Sequence, residues 1–229
     1  YQIEALSGVC RELAPDLRGH GASSVPKGGY SLAQLADDVR RLCRDLGTGR
    51  FVLVGHSMGG MIAQRYALDY PGDLAGLVLV ATTAADPENA LVSRRIAEAS
   101  PVEGFRDAFL RNSASWFTQD SDPELVAWIE ARMLHTPEHV AMRLVAAYED
   151  MDVRKELPAL NIPTLVVGAR GDASTSVDRS AELSRLIPGA NLVIIDGTGH
   201  FVQLERPGEV NKALLAFLAG LGHVKEAGT

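Results

Sequence analysis

The chain has 229 residues, of which 46% are hydrophobic and 22% are charged, and its formal net charge is −7. These values are ordinary for one large globular domain, and they exclude long disordered, collagen-like and coiled-coil proteins. Because the charge is negative, a surface that neutralises phosphates is not expected, and we predict no nucleic-acid partner. Cys10 and Cys43 lie in no CxxC motif or Cys/His cluster, so neither a disulfide framework nor a structural zinc site is supported.

The chain contains no targeting or membrane signal that sequence patterns can detect. No apolar run reaches the roughly eighteen residues that a membrane-spanning helix needs, and no basic stretch followed by an apolar one opens the chain. With so few cysteines, a reducing compartment fits best. We therefore expect a cytoplasmic protein that does not bind membranes.

Short, almost continuous apolar runs predict strands buried on both faces of a parallel sheet. Four of these runs are clear. A fifth, at residues 11–16, is weaker because it contains Pro15, which cannot donate a hydrogen bond to a neighbouring strand. In chain order, the pattern predicts a strand at 11–16, a helix at 31–46, a strand at 51–54, a helix at 57–70, a strand at 77–80, a strand at 164–167, a helix at 177–186, a strand at 192–195 and a helix at 207–218. This alternation predicts a doubly wound, mostly parallel α/β sheet.

The strand pattern disappears between residues 86 and 157. Amphipathic helical stretches replace it, over residues 94–99, 105–112, 123–134 and 137–151. We therefore predict a helical lid over residues 86–157, inserted into a core domain that consists of residues 1–85 and 158–229.

The sharpest motif is G-x-S-x-G at residues 55–59, placed between a predicted strand and a predicted helix. A nucleophilic serine at Ser57 requires this context, because the sharp turn exposes the hydroxyl while Gly55 and Gly59 are expected to let strand and helix approach. The helix N-terminus would also direct amide groups at a developing negative charge. The alternative is a glycine-rich turn whose serine only caps the helix.

A nucleophilic serine needs a base and an acid. Asp172 follows the strand at 164–167 and His200 follows the strand at 192–195, and parallel strands bring these loops to one edge of the sheet. We expect His56 to point away from Ser57 and to support the site indirectly. Three other carboxylates near the strand ends or the lid compete for the role of the acid: Asp86, Asp150 and Asp152.

The sequence resembles the α/β-hydrolase superfamily, in particular its esterase, lactonase and haloperoxidase-like group with a lid. Four segments carry the resemblance: Asp16-Leu17-Arg18-Gly19-His20-Gly21 with Ser23, the turn at 55–59, residues 168–172, and Gly199-His200-Phe201 with Glu205-Arg206-Pro207. The resemblance implies that Ser57 is the nucleophile, Asp172 the acid and His200 the base. It also implies that the backbone amide of Met58 is one oxyanion donor, and that no metal or organic cofactor is needed.

The leading hypothesis is a serine hydrolase that cleaves a small, fairly apolar ester, lactone or thioester through an acyl-enzyme. A serine at the turn, where dehalogenases and epoxide hydrolases of this type have aspartate, favours acyl transfer. The expected partner is a small-molecule substrate, and assembly into a homo-oligomer is left open. The alternatives are carbon–carbon bond hydrolysis, cofactor-free perhydrolysis or a lyase step with the same triad, or a small-molecule receptor that retains the triad.

The family opens with three strands and a His-Gly loop that donates the second oxyanion amide. Residues 1–8 here resemble the helix that follows that loop. We therefore expect the N-terminal strands to be missing from the given chain, with roughly 20 to 40 residues before Tyr1 in the functional protein. On this expectation the second donor is not identifiable in this chain, and the chain alone would be inactive.

Overall fold

A computed structural model of the protein describes residues 1–85, 96, 98–99, 104–149 and 151–222. The predicted helix at 94–99 lies largely outside the described residues, and the candidate acids Asp86 and Asp150 lie wholly outside them. Within the described part of the chain, no helix is both long enough and apolar enough to cross a bilayer.

Helices and strands alternate along the chain, close to the predicted bounds. In order they are α1 (Gln2–Leu6), α2 (Leu32–Asp45), β1 (Phe51–His56), α3 (Met58–Asp69), β2 (Leu74–Val80), α4 (Phe105–Ser113), α5 (Pro123–Met133), α6 (Glu138–Glu149), β3 (Thr164–Ala169), α7 (Val177–Leu186), β4 (Asn191–Ile195), α8 (Val202–Glu205) and α9 (Pro207–Gly220). Short 3₁₀ turns lie at Pro71–Asp73, Ala114–Trp116 and Leu157–Ala159. Ser31 caps α2, because its side chain accepts a hydrogen bond from the Gln34 amide.

The described strands form one parallel sheet in the order β1-β2-β3-β4. One face of the sheet packs against α2, α3 and α7, and the opposite face packs against α8 and α9. The central strands β2 and β3 are therefore buried on both sides, which is why their sequences read as unbroken apolar runs. The predicted doubly wound α/β fold is confirmed.

The predicted strand at residues 11–16 is wrong, since these residues form no strand. A strand needs a neighbouring strand to pair with, and within the described residues the ladder ends at β1. Pro15 also lacks a donor. Asp16 folds into a turn instead, in which its side chain accepts from the Ala22 amide at 2.9 Å and its carbonyl accepts from the Ser23 hydroxyl at 2.7 Å.

Helices α4 to α6 lie between β2 and β3, in the segment that the sequence predicts as a lid. The ends of this helical insertion meet at an isolated antiparallel bridge between Ala85 and Asp152, and the Val153 amide donates to the Ala84 carbonyl at 3.0 Å beside it. Val140 of α6 is fully buried in the core cluster that covers one face of the sheet. The insertion is therefore anchored to the core at its base and along α6.

Candidate active site

Ser57 lies on the turn between β1 and α3, with a backbone conformation of φ 50° and ψ −118°. Residues other than glycine rarely adopt a positive φ, so this backbone must be held by its surroundings. The Ser57 amide donates to the Val80 carbonyl at 3.0 Å, and the Ser57 carbonyl accepts from the Thr82 hydroxyl and the Gly60 amide, each at 2.8 Å. These bonds to β2 and α3 fix the turn that presents the serine hydroxyl.

The glycines of the turn differ in what they do. A Cβ atom on Gly55 would lie 2.5 Å from the carbonyl carbon of Gly59, and one on Gly60 would lie 2.5 Å from a side-chain carbon of Thr82. A Cβ atom on Gly59 would meet nothing within 4 Å. The expectation that the flanking glycines allow close packing is therefore correct for Gly55 and wrong for Gly59, whose place is taken by Gly60 at the contact between α3 and the end of β2.

His200 connects Ser57 to Asp172. Its Nε2 lies 2.8 Å from the Ser57 Oγ, and its Nδ1 lies 2.9 Å from the Asp172 Oδ2. The histidine and aspartate side chains are only 5% and 0% exposed. If Nδ1 donates to the carboxylate, Nε2 is left as an acceptor for the serine proton, which is the arrangement that a general base requires. The structure thus brings together the three side chains that the sequence selects.

Asp172 accepts hydrogen bonds at both carboxylate oxygens. The amides of Ser174 and Thr175 donate to Oδ1 at 2.8 Å each, and the Thr175 hydroxyl donates to Oδ2 at 2.6 Å. Burial pushes the pKa of Asp172 upward, but the hydrogen bonds from His200 and Thr175 and the positive charge of His200 in its protonated form outweigh it and leave the pKa below its ordinary value. The carboxylate therefore remains ionised beside His200.

Among the competing acids, Asp152 lies within the described residues, and its carboxylate pairs with an arginine and not with His200. It is exposed, and its carboxylate pairs with Arg154 at 2.6 Å. Hydrogen bonding to Arg154 lowers the pKa of Asp152 to about 2. Its carboxylate is thus engaged with a neighbour on the surface, whereas Asp172 is the carboxylate that contacts His200.

His56 contacts the backbone of His200 and not Ser57, as expected. Its Nε2 lies 2.8 Å from the His200 carbonyl oxygen, and the two imidazole rings lie 4.8 Å apart. Burial, together with the nearby His200, lowers the pKa of His56 to about 3. His56 is therefore neutral near pH 7, and its Nε2–H donates to the carbonyl.

Met58 is the first residue of α3, directly after Ser57. Its amide has no acceptor within the helix, because the first N–H groups of a helix point out of its N-terminus. The helix dipole adds a partial positive charge at the same place. This end of α3 can therefore stabilise an oxyanion that forms next to the Ser57 hydroxyl.

In the described ranges of the chain, no group of three or more His, Cys, Asp or Glu side chains is arranged to hold a metal ion. Two polar contacts of the site were not predicted from the sequence. Thr175 follows Asp172 by three residues, a spacing typical of local turns that could have indicated its contact with the carboxylate. The contact between Thr82 and Ser57 spans 25 residues, so no local pattern could indicate it.

Sequence and fold comparisons with known proteins lead to one family. The family model described as alpha/beta hydrolase fold matches residues 2–207. The AB hydrolase superfamily protein YisY of Bacillus subtilis is 31% identical over 216 residues, which cover 90% of this chain and 81% of that protein. A thermophilic esterase from Thermogutta terrifontis has 35% identity and a TM-score of 0.85, with 96% of this chain and 84% of that one covered.

A second solved structure is similar to this chain over nearly its whole length. The enol-lactonase from Burkholderia xenovorans LB400 is 31% identical to this chain, with a TM-score of 0.85 and coverage of 95% of this chain and 84% of that one. The match of the family model spans well over half of the chain and includes the Ser57 turn, Asp172 and His200. The chain therefore belongs to the α/β-hydrolase fold family of enzymes.

Proposed function

We propose that this protein is a serine hydrolase that cleaves small, fairly apolar carboxylic esters, lactones or thioesters through an acyl-enzyme. The observation that carries the proposal is the unbroken hydrogen-bonded path from the Ser57 hydroxyl through His200 to the buried Asp172 carboxylate. Its position at the carboxyl ends of three parallel strands is where α/β sheets present their ligand sites.

In the acylation step, the Ser57 Oγ attacks the carbonyl carbon of the substrate while the His200 Nε2 accepts the hydroxyl proton. The carbonyl electron pair moves to oxygen, and the Met58 amide donates to this oxyanion. When the carbonyl re-forms, the bond to the leaving oxygen or sulfur breaks, and the leaving group takes the proton from His200. Asp172 stays ionised throughout and stabilises the imidazolium.

In the second step a water molecule replaces the leaving group. His200 accepts a proton from this water as its oxygen attacks the acyl carbon, and the oxyanion again faces the Met58 amide. Collapse of the intermediate releases the carboxylic acid, and the Ser57 oxygen recovers its proton from His200. The cycle consumes one water and leaves the enzyme unchanged.

The surroundings of His200 support an apolar substrate. The rings of Trp116 and Phe201 lie 6.1 and 5.5 Å from the His200 ring, and Phe109 contacts Trp116 edge to face at 5.6 Å. Aromatic side chains beside the reacting atoms favour apolar over charged acyl or alcohol groups. The names esterase and enol-lactonase of the similar solved structures support oxygen esters and lactones. Because Trp116 belongs to the inserted segment, we include in the proposal that residues 86–157 act as a lid.

The experiment measures turnover of nitrophenyl acetate and of a small lactone by the purified protein and by its Ser57→Ala variant. The variant should lose activity by about 10⁴-fold or more, because triad members act as a unit. Ser184→Ala, a serine of α7 whose hydroxyl bonds to its own helix, is the matched control and should retain full activity. Many turnovers per protein would exclude a single-turnover receptor, while full activity of Ser57→Ala would refute the proposed mechanism.

A further inference from the structure

We propose that Glu205 is a positioning residue that ties the helical insertion to the backbone of the base His200. The inference rests on the proposed function, since it concerns how a side chain outside the triad holds the backbone of His200 in place. Glu205 belongs to the Glu-Arg-Pro segment after His200, to which the mechanism gives no task. Its contacts reach two separate parts of the chain.

The two carboxylate oxygens of Glu205 have different partners. The Gly199 amide, which directly precedes His200, donates to Oε1 at 3.0 Å. The Ser121 hydroxyl, which belongs to the insertion between α4 and α5, donates to Oε2 at 2.7 Å. Ser121 in turn accepts from the Thr118 amide at 3.0 Å. One carboxylate therefore joins the His200 loop to a folded turn of the insertion, with bonds that are stronger than neutral ones because the acceptor is charged.

A second bond joins the same two segments next to the reacting ring. The His200 amide donates to the Trp116 carbonyl at 2.8 Å, and the neighbouring rings of Phe117 and Phe201 stack at 5.4 Å. Because the insertion supplies the acceptor for the His200 amide, a shift of residues 116–121 would move the backbone that carries the imidazole.

The fit between the segments leaves little freedom at Gly199. A Cβ atom there would lie 2.5 Å from the Trp116 carbonyl oxygen and 3.3 Å from the Glu205 Oε1. The loop and the insertion thus approach each other through backbone atoms. Glu205 lies at the end of α8, where the amides of Leu204 and Glu205 donate to the Phe201 carbonyl. These bonds hold the backbone that carries the Glu205 carboxylate.

These contacts have a consequence for the reaction. The Asp172 carboxylate fixes the His200 ring at Nδ1, but Nε2 must stay in reach of the Ser57 Oγ, and that position depends on where the backbone is held. Misplacing a catalytic group by about 1 Å can slow a reaction about a hundredfold without weakening substrate binding. Loss of the Glu205 bridge should therefore lower kcat and leave KM nearly unchanged.

The experiment compares Glu205→Ala, Glu205→Gln and Ser121→Ala in the purified protein, with nitrophenyl acetate as substrate. Rates are divided by the fraction of active sites, measured as the fraction of protein that an alkyl phosphonate labels in a mass spectrum. We expect Glu205→Ala to lower kcat about tenfold or more with KM within about threefold, in line with a lost charge-assisted hydrogen bond at a positioning contact. Glu209→Ala, an exposed carboxylate on the next helix, is the matched control and should leave kcat unchanged.

Two further variants separate positioning from loss of folding. In Glu205→Gln, the side-chain oxygen can still accept from Gly199 and the amide can donate to Ser121, so kcat should recover to within about threefold of the parent. Ser121→Ala should lower kcat by less than Glu205→Ala does, and it should add no further loss in the Glu205→Ala background, where the bridge is already absent.

The outcomes distinguish this inference from the proposed function. A Glu205→Ala variant with near-parental kcat per active site, or a Ser121→Ala loss that is the same with and without Glu205, would overturn the bridge while leaving the triad intact. If Glu205→Ala does not fold, the Ser121→Ala variant alone decides, and an unchanged kcat there refutes the inference. Hydrolysis by Ser57→Ala would instead refute the proposed function, whatever the Glu205 variants do.

Discussion

Replacing Asp172 with asparagine should stop catalysis by changing which ring nitrogen of His200 carries the proton. The asparagine oxygen can take the place of Oδ1 and keep the bonds from the amides of Ser174 and Thr175. Its NH₂ group then takes the place of Oδ2, where it faces the Thr175 hydroxyl and the His200 Nδ1. The hydroxyl can rotate to accept, but the imidazole can accept at Nδ1 only if its proton moves to Nε2.

The size of the effect follows from the hydrogen bonds involved. A bond from Nδ1–H to a carboxylate stabilises the productive tautomer by about 1.5 to 3 kcal/mol, and the asparagine amide stabilises the other tautomer instead. The bond to the asparagine amide is worth about 0.5 to 1.5 kcal/mol, so the two terms together disfavour the productive state by about 2 to 4.5 kcal/mol, or about 30- to 2,000-fold in rate, before the lost stabilisation of the imidazolium is added. The same exchange in serine protease triads lowers kcat about 10⁴-fold.

The assay is steady-state hydrolysis of nitrophenyl acetate, together with thermal unfolding to show that the variant is folded. Asp152→Asn serves as the matched control, since Asp152 is an exposed aspartate that pairs with Arg154 and competed with Asp172 on sequence grounds. We expect a fall of about 10⁴-fold for Asp172→Asn and no more than a twofold change for the control. If Asp172→Asn keeps more than a tenth of the activity, or if the control is the variant that fails, the assignment of the acid is wrong.

Two other perturbations test the turn and the second histidine. Gly55→Ala should destabilise the protein by about 2 kcal/mol or more in urea unfolding, because the new methyl group meets the backbone of α3. Gly59→Ala should be tolerated, because its methyl group meets nothing within 4 Å. Equal losses of stability in the two variants would contradict the assigned packing. Because burial lowers the pKa of His56 from 6.5 to about 3 on folding, its contribution to stability is complete above pH 6.5 and is lost as the pH falls toward 3, by up to about 3 kcal/mol at pH 4. Urea unfolding at pH 8 and pH 4 should show a smaller pH effect in His56→Gln than in the parent, and identical pH effects would refute the neutral, buried state of this ring.

The parts of the fold that the sequence predicts are those set by local patterns. The apolar runs of β2 and β3 predict strands that are buried on both faces of the sheet, and Ser31 marks the start of α2. The convergence of Ser57, His200 and Asp172 was also predictable, because parallel strands bring their carboxyl-terminal loops to one edge of the sheet.

The remaining features depend on partners that no local pattern reveals. The run at residues 11–16 looks like a strand, but strand formation depends on a neighbour, and the described ladder ends at β1. The backbone acceptor at Trp116 carries no side-chain signature at all, since any residue could supply that carbonyl. In the same way, Gly59 and Gly60 are chemically identical, and only the position of Thr82 shows which of them must lack a side chain.

The bridge between Ala85 and Asp152 makes the insertion a modular part of the enzyme. Because its two ends lie side by side, a segment of different length or sequence can be spliced between β2 and β3 without altering the pairing of those strands. A replacement segment has to preserve two contacts with the core domain. One is a buried apolar side chain in the place of Val140, and the other is a main-chain carbonyl in the place of Trp116 that accepts a hydrogen bond from the His200 amide. A chimera that keeps the apolar side chain and omits the oxygen would leave the His200 amide without this acceptor, so substrate preference and turnover could be altered separately.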